Sequence, residues 1–348
     1  MSKTPKVSVI IPVYNAEKYI GKCARTLFEQ TLDDIEYIFI NDCTPDKSIE
    51  ILNKVLEEYP KRKNQTKIIH HEKNKGIATS RNTGIKATTG TYVIHCDSDD
   101  WVEPNMYETM YNKAVEGDYD IVSCDYFIDD KNNSIYNNQL SYKNNDDYLK
   151  AVLTGKIGSY LWNKLTKKSI YSNNDLYFPD SINIREDFFL IIELYYFSRR
   201  VFHIQQAFYH YRKNETSITL QNLDKNVDLI NMRLEAMNLI EDFLIKNQAL
   251  DKFESELNIA FLNLKHFILQ NTVNKKKWIN LYPDSKKYIK DLPCSLPSKI
   301  ALYFASKNSI WGYNICSQIQ KIGSMIKQFI ISISNIKSNE KSNNIRHI

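Results

Sequence analysis

Three carboxylates stand close together in the sequence Asp97-Ser98-Asp99-Asp100, directly after the apolar run Tyr92–Cys96. That run predicts a buried strand of a parallel sheet, and open α/β sheets bind their ligands beyond the carboxyl ends of such strands. Neighbouring like charges repel one another unless a cation lies between them, and Mg²⁺ and Mn²⁺ prefer carboxylate and phosphate oxygens as ligands. The stretch therefore predicts a divalent-metal site that also holds a phosphate group, with a solvated acidic turn before the next helix as the simpler alternative.

The residues before these acids predict the elements that position them. Apolar runs alternate with segments of helical periodicity, which predicts an α/β fold with a doubly wound, mainly parallel sheet. The polar pairs Tyr14-Asn15 and Asn41-Asp42 follow two of the predicted strands, so three polar clusters would meet at one edge of the sheet. The predicted strands are Val7–Asn15, Glu36–Ile40, Lys67–His71 and Thr91–Cys96, and the predicted helices are Glu17–Gln30, a segment that ends near Tyr59, and Gly76–Ala87.

Three of these stretches together resemble the family 2 glycosyltransferases, which are inverting enzymes of the GT-A fold. The stretches are VSVIIPVYNAEKYI (7–20), INDCTPD (40–46) and NKGIATSRNTGIKATTGTYVIHCDSDDW (74–101). The resemblance extends over about residues 7–219 and implies a GT-A nucleotide-sugar-binding domain, which we place at residues 1–220. Cys43-Thr44-Pro45 stands where a Gly-Ser-Thr-like run is commoner in the family, a departure that would reshape the base pocket without removing Asp42.

The resemblance implies that the N-terminal half of this domain binds the nucleotide of a UDP-sugar. On the family pattern, Pro12 and Tyr14 line a uracil pocket, with the Tyr14 ring stacked on the base. The Asp42 carboxylate accepts a hydrogen bond from uracil N3, and Arg81 lies near the uridine and the phosphates. Considered without the family, Asp42 would equally serve as a cap for the helix that follows Asp46.

The same resemblance implies roles for the acidic cluster and for a basic segment further along the chain. Asp97 lies near the ribose, and Asp99, together with Asp97, holds the Mn²⁺ or Mg²⁺ that bridges the diphosphate. Asp100 either coordinates the metal as well or faces the acceptor, and we assign it to the acceptor site. Arg212, in a segment that continues to Ser217, resembles the family's loop over the diphosphate and would contact a phosphate, with a solvated basic turn as the alternative.

A transferase of this kind also needs a base that takes the proton of the acceptor hydroxyl. Glu186-Asp187 precedes a strongly apolar helix, where two acids are also favoured by the helix dipole alone. The pair matches the family's Glu-Asp motif, which implies Asp187 as the base and Glu186 as its neighbour. Trp162 lies in a further family-like segment and forms either an apolar platform for the acceptor sugar or part of the core.

Beyond the resemblance, the C-terminal residues predict helices and a basic tail. We expect a helical extension over 221–298 and a basic amphipathic helical tail over 299–348. The tail has seven basic residues and one acidic residue, a net charge of +6, whereas the whole chain carries +5. This charge favours peripheral contact with an anionic membrane, and the alternative is that the helix packs on the domain or on a second copy in a homodimer. Its apolar positions are Trp311, Ile315, Ile319, Ile322, Ile326, Phe329 and Ile333.

Composition limits the class of protein further. Hydrophobic content of 43% and charged content of 25% are those of a soluble globular protein. The N-terminal apolar run is broken by Pro12 and Asn15, so we expect no signal peptide and a cytoplasmic protein, peripheral at most on the inner face of the membrane. The six cysteines have no CxxC spacing, which predicts free thiols rather than a zinc site. We expect no nucleic-acid partner.

The sequence thus predicts an inverting, metal-dependent glycosyltransferase that moves a hexose or N-acetylhexosamine from a UDP-sugar to a hydroxyl of a growing glycan. A lipid-linked oligosaccharide for a capsule or another surface polysaccharide is the acceptor we expect. One rival is a non-catalytic UDP-sugar-binding or scaffold subunit of a polysaccharide assembly complex. A nucleotidyltransferase is the second rival, and the lack of an N-terminal glycine-rich, basic triphosphate loop argues against it.

Overall fold

The structure of the chain is a computed structural model that describes residues 4–130, 133–180, 182–213, 227–323 and Met325. The described residues form two compact units. The first contains the N-terminal sheet and continues through Asp228–Phe253, and the second contains Val227 and the described residues from Glu254 onward. The division between the units therefore falls inside a helix, Leu250–Asn271.

Among the described residues, the first unit contains one nine-stranded sheet of mixed direction. The strands are β1 Val7–Val13, β2 Ile35–Asn41, β3 Thr66–His70, β4 Tyr92–His95, β5 Trp101–Val102, β6 Ile121–Asp129, β7 Ser134–Asn137, β8 Lys164–Lys167 and β9 Val201–Arg212. Their order across the sheet is β3-β2-β1-β4-β8-β6-β9-β5, and β7 pairs with β6 outside this path.

Helices connect these strands and cover the sheet. They are α1 Ile20–Phe28, α2 Ser48–Glu58, α3 Ile77–Ala87, α4 Met106–Glu116, α5 Asn145–Leu153, α6 Lys168–Asn174, α7 Glu186–Phe197 and α8 Val227–Lys246, with a short 3-10 helix over Pro60–Gln65. The helix Leu250–Asn271 is α9.

The N-terminal part of the sheet is parallel, as the alternation of strands and helices predicts. β1 pairs with β2 and β4, and β2 pairs with β3, all in parallel register. Every residue of β1 is buried because helices cover both faces of the sheet. On α3 the small residue Gly84 allows close approach, since a Cβ there would lie 2.3 Å from Cγ2 of Ile10 on β1. The prediction of an α/β fold is confirmed, and the sheet is parallel over β1 to β4.

The second half of the sheet departs from the sequence predictions in two places. The sequence over Val201–Tyr211 predicts two short strands, and this prediction is wrong, because β9 is one continuous strand of 12 residues. The irregularity lies in its pairing with β6, whose register shifts on both sides of Asp125. The sequence analysis also missed β8, which pairs antiparallel with both β4 and β6. With 4 residues, β8 is too short to show a periodicity of its own.

The second unit is helical. Besides the C-terminal part of α9 it contains α10 Lys275–Trp278, a 3-10 helix over Pro283–Asp291, α11 Leu296–Ser306 and a helix over 310–323. One of its hydrophobic clusters joins Ile259 and Leu262 of α9 to Leu292 and Leu302. The amphipathic helix predicted over 311–333 is present as far as residue 323, and residues 326–348 lie outside the described part of the chain. No helix in the described residues has both the length and the apolar character needed to cross a membrane.

Candidate active site

The Asp42 carboxylate, directly after β2, is held by the start of the next βα unit. Its Oδ1 accepts a hydrogen bond from the Lys75 amide at 2.9 Å, and its Oδ2 accepts one from the Gly76 amide at 2.9 Å. His71 Nδ1 lies 2.7 Å from Oδ1, and His71 Nε2 lies 2.9 Å from the Thr83 hydroxyl on α3. Gly76 has a φ of 87°, which disfavours a side chain there. Asp42 is therefore fixed at the sheet edge, as a carboxylate that reads a nucleobase must be.

The helix-cap alternative for Asp42 is wrong. The amide of Ser48, the first residue of α2, donates to Asp46 Oδ1 at 3.1 Å, and Asp46 Oδ2 accepts from the Glu17 amide at 2.9 Å. Asp46 therefore satisfies the start of α2, and Asp42 is left for the sheet edge. The amide groups at the start of a helix need hydrogen-bond acceptors, and here Asp46, four residues after Asp42, provides one.

Tyr14 and Pro12 lie at the end of β1, next to Asp42. Pro12 is buried within the strand, opposite Ile40 of β2. Tyr14, the first residue after β1, is 46% exposed, so its ring is available to a ligand. The Asn15 amide donates to the Thr44 hydroxyl at 2.9 Å and ties the segment after β1 to the segment after β2.

Arg81 on α3 connects the acids after β4 to the acid pair at the start of α7. Its Nη2 donates to Asp97 Oδ1 at 2.9 Å, and its Nη1 donates to Glu186 Oε1. The side chain is 8% exposed. Burial alone would lower the pKa of this guanidinium, but the charges of Asp97, Glu186 and Asp187 outweigh burial and raise the pKa. Arg81 is therefore a permanent cation among three carboxylates, of which one follows β4 and two begin α7.

The acids after β4 divide into two kinds. Asp97 and Asp99 are partly exposed, whereas Asp100 is only 2% exposed. Asp100 Oδ2 accepts from the Tyr209 hydroxyl at 2.7 Å, and Asp100 Oδ1 accepts from the Arg212 amide at 2.7 Å. Burial, and then the charges of Asp99 and Asp97, raise the pKa of Asp100 well above its usual range.

The assignment of Asp100 to the acceptor site is therefore corrected. An acceptor contact requires an accessible carboxylate, and both oxygens of Asp100 are enclosed and hydrogen-bonded to β9. The Tyr209 hydroxyl also accepts a hydrogen bond from the Asp97 amide at 3.1 Å. Asp100 and Tyr209 thus hold the acidic segment against β9, and they leave Asp97 and Asp99 as the carboxylates at the surface of the site.

The expectation that Trp162 forms a sugar platform is corrected as well. Trp162 is 5% exposed and belongs to the hydrophobic core. Its ring stacks on Tyr209 at a centroid distance of 4.3 Å and on Tyr160 at 4.7 Å, and Tyr126 meets it edge-on at 4.8 Å. A sugar face needs an open ring, and the aromatic neighbours of Trp162 already cover it.

Glu186 and Asp187 begin α7 in different environments. Glu186 is buried against Arg81, and burial raises its pKa, although the Arg81 charge opposes the increase. Asp187 is partly exposed, and its Oδ2 accepts a hydrogen bond from the Ser159 hydroxyl at 3.1 Å. Of the two acids, Asp187 is therefore the one that an acceptor hydroxyl can reach.

Arg212 lies at the end of β9, beside the acidic segment. Its Nε donates to the Asp99 carbonyl oxygen at 3.1 Å, and its guanidinium lies over the rings of Tyr19 at 4.7 Å and Trp101 at 5.0 Å. The described residues place no carboxylate within ion-pair distance of this guanidinium, which leaves it suited to an anionic ligand. Ser217, which the sequence analysis grouped with Arg212, lies outside the described residues.

A divalent cation could be held at this site only if a bound substrate, through its phosphate oxygens, completed the coordination. In the part of the chain that is described, no three His, Cys, Asp or Glu side chains form a group that could hold a metal ion by themselves. Mg²⁺ in nucleotide enzymes is commonly held by one or two carboxylates and by substrate phosphates. Asp97 and Asp99, partly exposed after β4, supply such a pair of carboxylates.

Three residues that the sequence analysis did not assign help to build the site: His71, Tyr209 and Ser159. His71 orients Asp42, Tyr209 orients the Asp97 and Asp100 segment, and Ser159 contacts Asp187. His71 had one signal in the sequence, since it is the last residue of a strand predicted to end at the ligand edge. Tyr209 and Ser159 had none, because their partners lie 112 and 28 positions away along the chain.

Comparison with known proteins relates the chain to a family. The sequence model of Glycosyl transferase family 2 matches residues 8–187. The chain is 35% identical to EpsH of Bacillus subtilis (strain 168), which is named as a glycosyltransferase, over 74% of each chain. It is 34% identical to the glycosyltransferase EpsJ of the same strain over 62% of this chain and 63% of EpsJ. The crystal structure of S. aureus TarS 1-349 in complex with UDP-GlcNAc superposes with a TM-score of 0.67 at 20% identity, covering 91% of this chain and 92% of that one.

Proposed function

The chain belongs to glycosyltransferase family 2, and we propose that it transfers a hexose or N-acetylhexosamine from a UDP-sugar to a hydroxyl of a growing glycan, with inversion at the anomeric carbon. The observation that carries this proposal is the Arg81 bridge. One guanidinium contacts both Asp97, at the carboxyl end of β4, and Glu186, at the start of α7. It therefore brings the acids suited to a nucleotide diphosphate next to the acids suited to proton transfer.

Three features support a UDP-sugar as the donor. Asp42, held at the sheet edge by the Lys75 and Gly76 amides, stands where the family pattern has the acceptor for uracil N3, and this position rather than its exposure of 4% favours the role. Tyr14 offers an exposed ring beside it for stacking on the base. TarS, whose fold this chain shares, has been crystallised with UDP-GlcNAc.

Asp97 and Asp99 would hold a Mn²⁺ or Mg²⁺ together with the diphosphate, and Arg212 would contact a phosphate. When bound, the cation offsets the negative charge that develops on the departing UDP. Arg81 keeps Asp97 in place through its 2.9 Å hydrogen bond, and the Asp100 and Tyr209 pair fixes the backbone of the acidic segment.

Asp187 would act as the general base. Its carboxylate takes the proton of the acceptor hydroxyl while that oxygen bonds to the anomeric carbon, and the bond from this carbon to the UDP oxygen breaks on the opposite face. Glu186 is committed to Arg81 and is buried, whereas Asp187 is partly exposed and keeps hydrogen-bonding capacity beyond its Ser159 contact. This difference supports Asp187 rather than Glu186 as the base.

A lipid-linked oligosaccharide at an anionic membrane surface is the acceptor that we propose. On the helix over 310–323, Gly312, Tyr313, Cys316 and Ser317 are buried, whereas Trp311 and Ile319 are 76% and 54% exposed. Lys307, just before this helix, and Lys321, within it, are exposed as well. An exposed apolar stripe with basic neighbours suits the interface of an anionic membrane. If a chain cut before Lys299 co-sediments with phosphatidylglycerol vesicles as well as the full chain does, this part of the proposal is wrong.

The catalytic proposal is tested by UDP release from UDP-glucose, UDP-galactose, UDP-GlcNAc and UDP-GalNAc, first with Mn²⁺ and then with EDTA. We expect slow, metal-dependent release from one donor, and a large loss of rate in Asp187→Asn. Glu58→Gln, which removes an exposed carboxylate on α2, is the matched control and should retain the rate. Full activity of Asp187→Asn would exclude Asp187 as the base, and the absence of both UDP release and UDP binding would contradict the donor assignment.

A further inference from the structure

A lysine is buried behind the predicted base without an acidic partner. Lys164, the first residue of β8, is only 4% exposed. Its Nζ donates to the carbonyl oxygens of Gly158 at 3.2 Å and Tyr160 at 2.6 Å, and to Asn163 Oδ1 at 2.9 Å. In the described residues, no carboxylate lies within ion-pair distance of this ammonium. Its three contacts are therefore all with one loop, residues 158–163.

The three contacts require the charged form of the lysine. Two carbonyl oxygens and an amide oxygen have no proton to give, so all three hydrogen bonds need an N–H from Nζ, and only the ammonium form has three. Burial lowers the pKa of Lys164 to about 7, although the nearby Cys124 and Asp187 act to raise this pKa. Lys164 makes all three hydrogen bonds only while its amino group is protonated. An apolar side chain at this position would leave the three buried acceptor oxygens without this donor.

The two carbonyl groups that Lys164 binds flank Ser159. Ser159 is the residue whose hydroxyl donates to Asp187 Oδ2 at 3.1 Å. A loop held by the carbonyl oxygens on both sides of a residue has little freedom to rotate that residue. The direction of the Ser159 hydroxyl, and with it the direction of the Asp187 carboxylate, therefore depends on the Lys164 contacts.

The loop is fixed to the sheet at its other end by Asn163. The Asn163 side-chain amide donates to the Cys124 carbonyl oxygen on β6 at 2.7 Å, and the Cys124 amide donates to the Asn163 carbonyl oxygen at 3.1 Å. Asn163 Oδ1 in turn accepts from Lys164, and the ring of Tyr160 stacks on Trp162 in the core. Lys164 and Asn163 thus hold the loop beside Asp187 in a fixed position relative to β6.

We propose that Lys164 is a positioning residue, which clamps the loop over residues 158–160 to β6 so that Ser159 orients the carboxylate of Asp187 for proton abstraction. This inference rests on the proposed role of Asp187 as base. Lys164 itself would not contact the donor, the acceptor or the reacting atoms. Lys164 acts through Ser159, so its loss should lower the rate of turnover and leave nucleotide binding nearly unchanged.

Lys164→Met tests the clamp, since methionine keeps much of the side-chain length and removes the donors. The assay is UDP release from whichever of the four UDP-hexoses gives the highest rate, with water as acceptor. We expect kcat to fall about 10- to 100-fold, because small misplacement of a catalytic group has effects of this order. The KM for the donor and the affinity for UDP should change less than about twofold, since the clamp lies outside the nucleotide site. Lys168→Met is the matched control, because Lys168 also donates to a backbone carbonyl, that of Thr88 at 2.6 Å.

Two outcomes with Lys164→Met would overturn the proposal. One is a kcat no lower than that of Lys168→Met. The other is a parallel loss of UDP affinity, which would indicate general damage to the domain. Peptide-level hydrogen exchange gives a second readout, in which residues 155–163 should exchange faster in Lys164→Met while the β1 and β4 peptides remain unchanged.

Ser159→Ala keeps the proposal testable even if Lys164→Met does not fold. The clamp acts through Ser159, so Ser159→Ala alone should lower kcat with UDP affinity unchanged. Where Lys164→Met does fold, it should add little in the Ser159→Ala background. Full kcat in Ser159→Ala, or an undiminished effect of Lys164→Met in the double variant, would refute the clamp. Asp187→Asn separates the two hypotheses. If it keeps full kcat, the base assignment fails, and if it loses kcat while Ser159→Ala does not, only the clamp fails.

Discussion

Replacement of Arg81 by methionine should destabilise the first unit more than any loss of an exposed arginine. The guanidinium is 8% exposed and contacts both Asp97 and Glu186. Removing it leaves Glu186 buried next to Asp187 without the cation to which it is hydrogen-bonded. Breaking a buried ion pair by removing one partner costs about 3 to 5 kcal/mol, because the remaining charge is uncompensated. For a unit of this size that corresponds to a decrease in Tm of about 10 °C.

The assay is urea denaturation followed by circular dichroism, with Arg25→Met as the matched control. Arg25 pairs with Glu58 on the surface of α1 and α2, and its side chain is 42% exposed. An exposed pair is screened by solvent, so the control should leave the denaturation midpoint almost unchanged. Equal losses of stability in Arg81→Met and Arg25→Met would refute the reasoning that the Arg81 bridge is a buried charge network.

The pH dependence of the same measurement provides an independent check. Burial already raises the pKa of Glu186, and loss of the Arg81 charge should raise it further. In Arg81→Met the native state would then bind this proton at pH values where the unfolded chain has released it. The free energy of unfolding must therefore fall as pH rises through that interval. We expect the difference between Arg81→Met and the unaltered protein to be smaller at pH 5 than at pH 8, and an opposite trend would contradict the assignment of the penalty to Glu186.

Three further substitutions test other parts of the structure. Asp42→Asn should weaken UDP binding about tenfold in isothermal titration, a loss of about 1.4 kcal/mol, because an amide has one acceptor oxygen where the carboxylate uses two. Gly84→Ala should lower stability by about 1 to 3 kcal/mol in urea denaturation, since its Cβ would lie 2.3 Å from a β1 side-chain atom. Gly21→Ala, whose Cβ would meet its nearest neighbour at 3.4 Å, is the tolerated control. Tyr209→Phe should cost about 1 to 3 kcal/mol, measured as a fall in the denaturation midpoint, because Asp100 loses a buried hydrogen bond.

Local patterns were sufficient to predict the elements at the proposed nucleotide-binding edge. Strands β1 to β4 lie within two residues of their predicted bounds, because buried parallel strands produce apolar runs that are bounded by polar turns. The positions of Tyr14, Asp42 and Asp97 after those strands follow from the same pattern. The strand β8 could not be predicted, because it is short and its pairing with β4 and β6 is set by contacts distant in sequence.

Which of the candidate residues face the site was decided by the tertiary structure alone. Asp97 and Asp100 have the same side chain and nearly the same place in the sequence, yet Asp100 is enclosed by Tyr209 and Arg212 from β9, and Asp97 is not. Trp162 is a core residue because Tyr160 and Tyr209 stack on it. Helical and strand periodicity relates only residues that are close in the sequence, so it cannot predict contacts such as that between Asp100 and Tyr209, 109 positions apart.

The sequence by itself determined the fold class, the family and the residue types at the ends of the parallel strands, since these depend on local periodicity and on the order of short motifs. The tertiary structure decided which acids are partly exposed (Asp97, Asp99 and Asp187) and which are buried (Asp100 and Glu186). Arg81 on α3 meets Glu186, which lies 105 positions later in the chain, only after α3 and the start of α7 have come together. Burial, charge pairing and the direction of a carboxylate are properties of such long-range neighbours, and they follow from packing rather than from residue type.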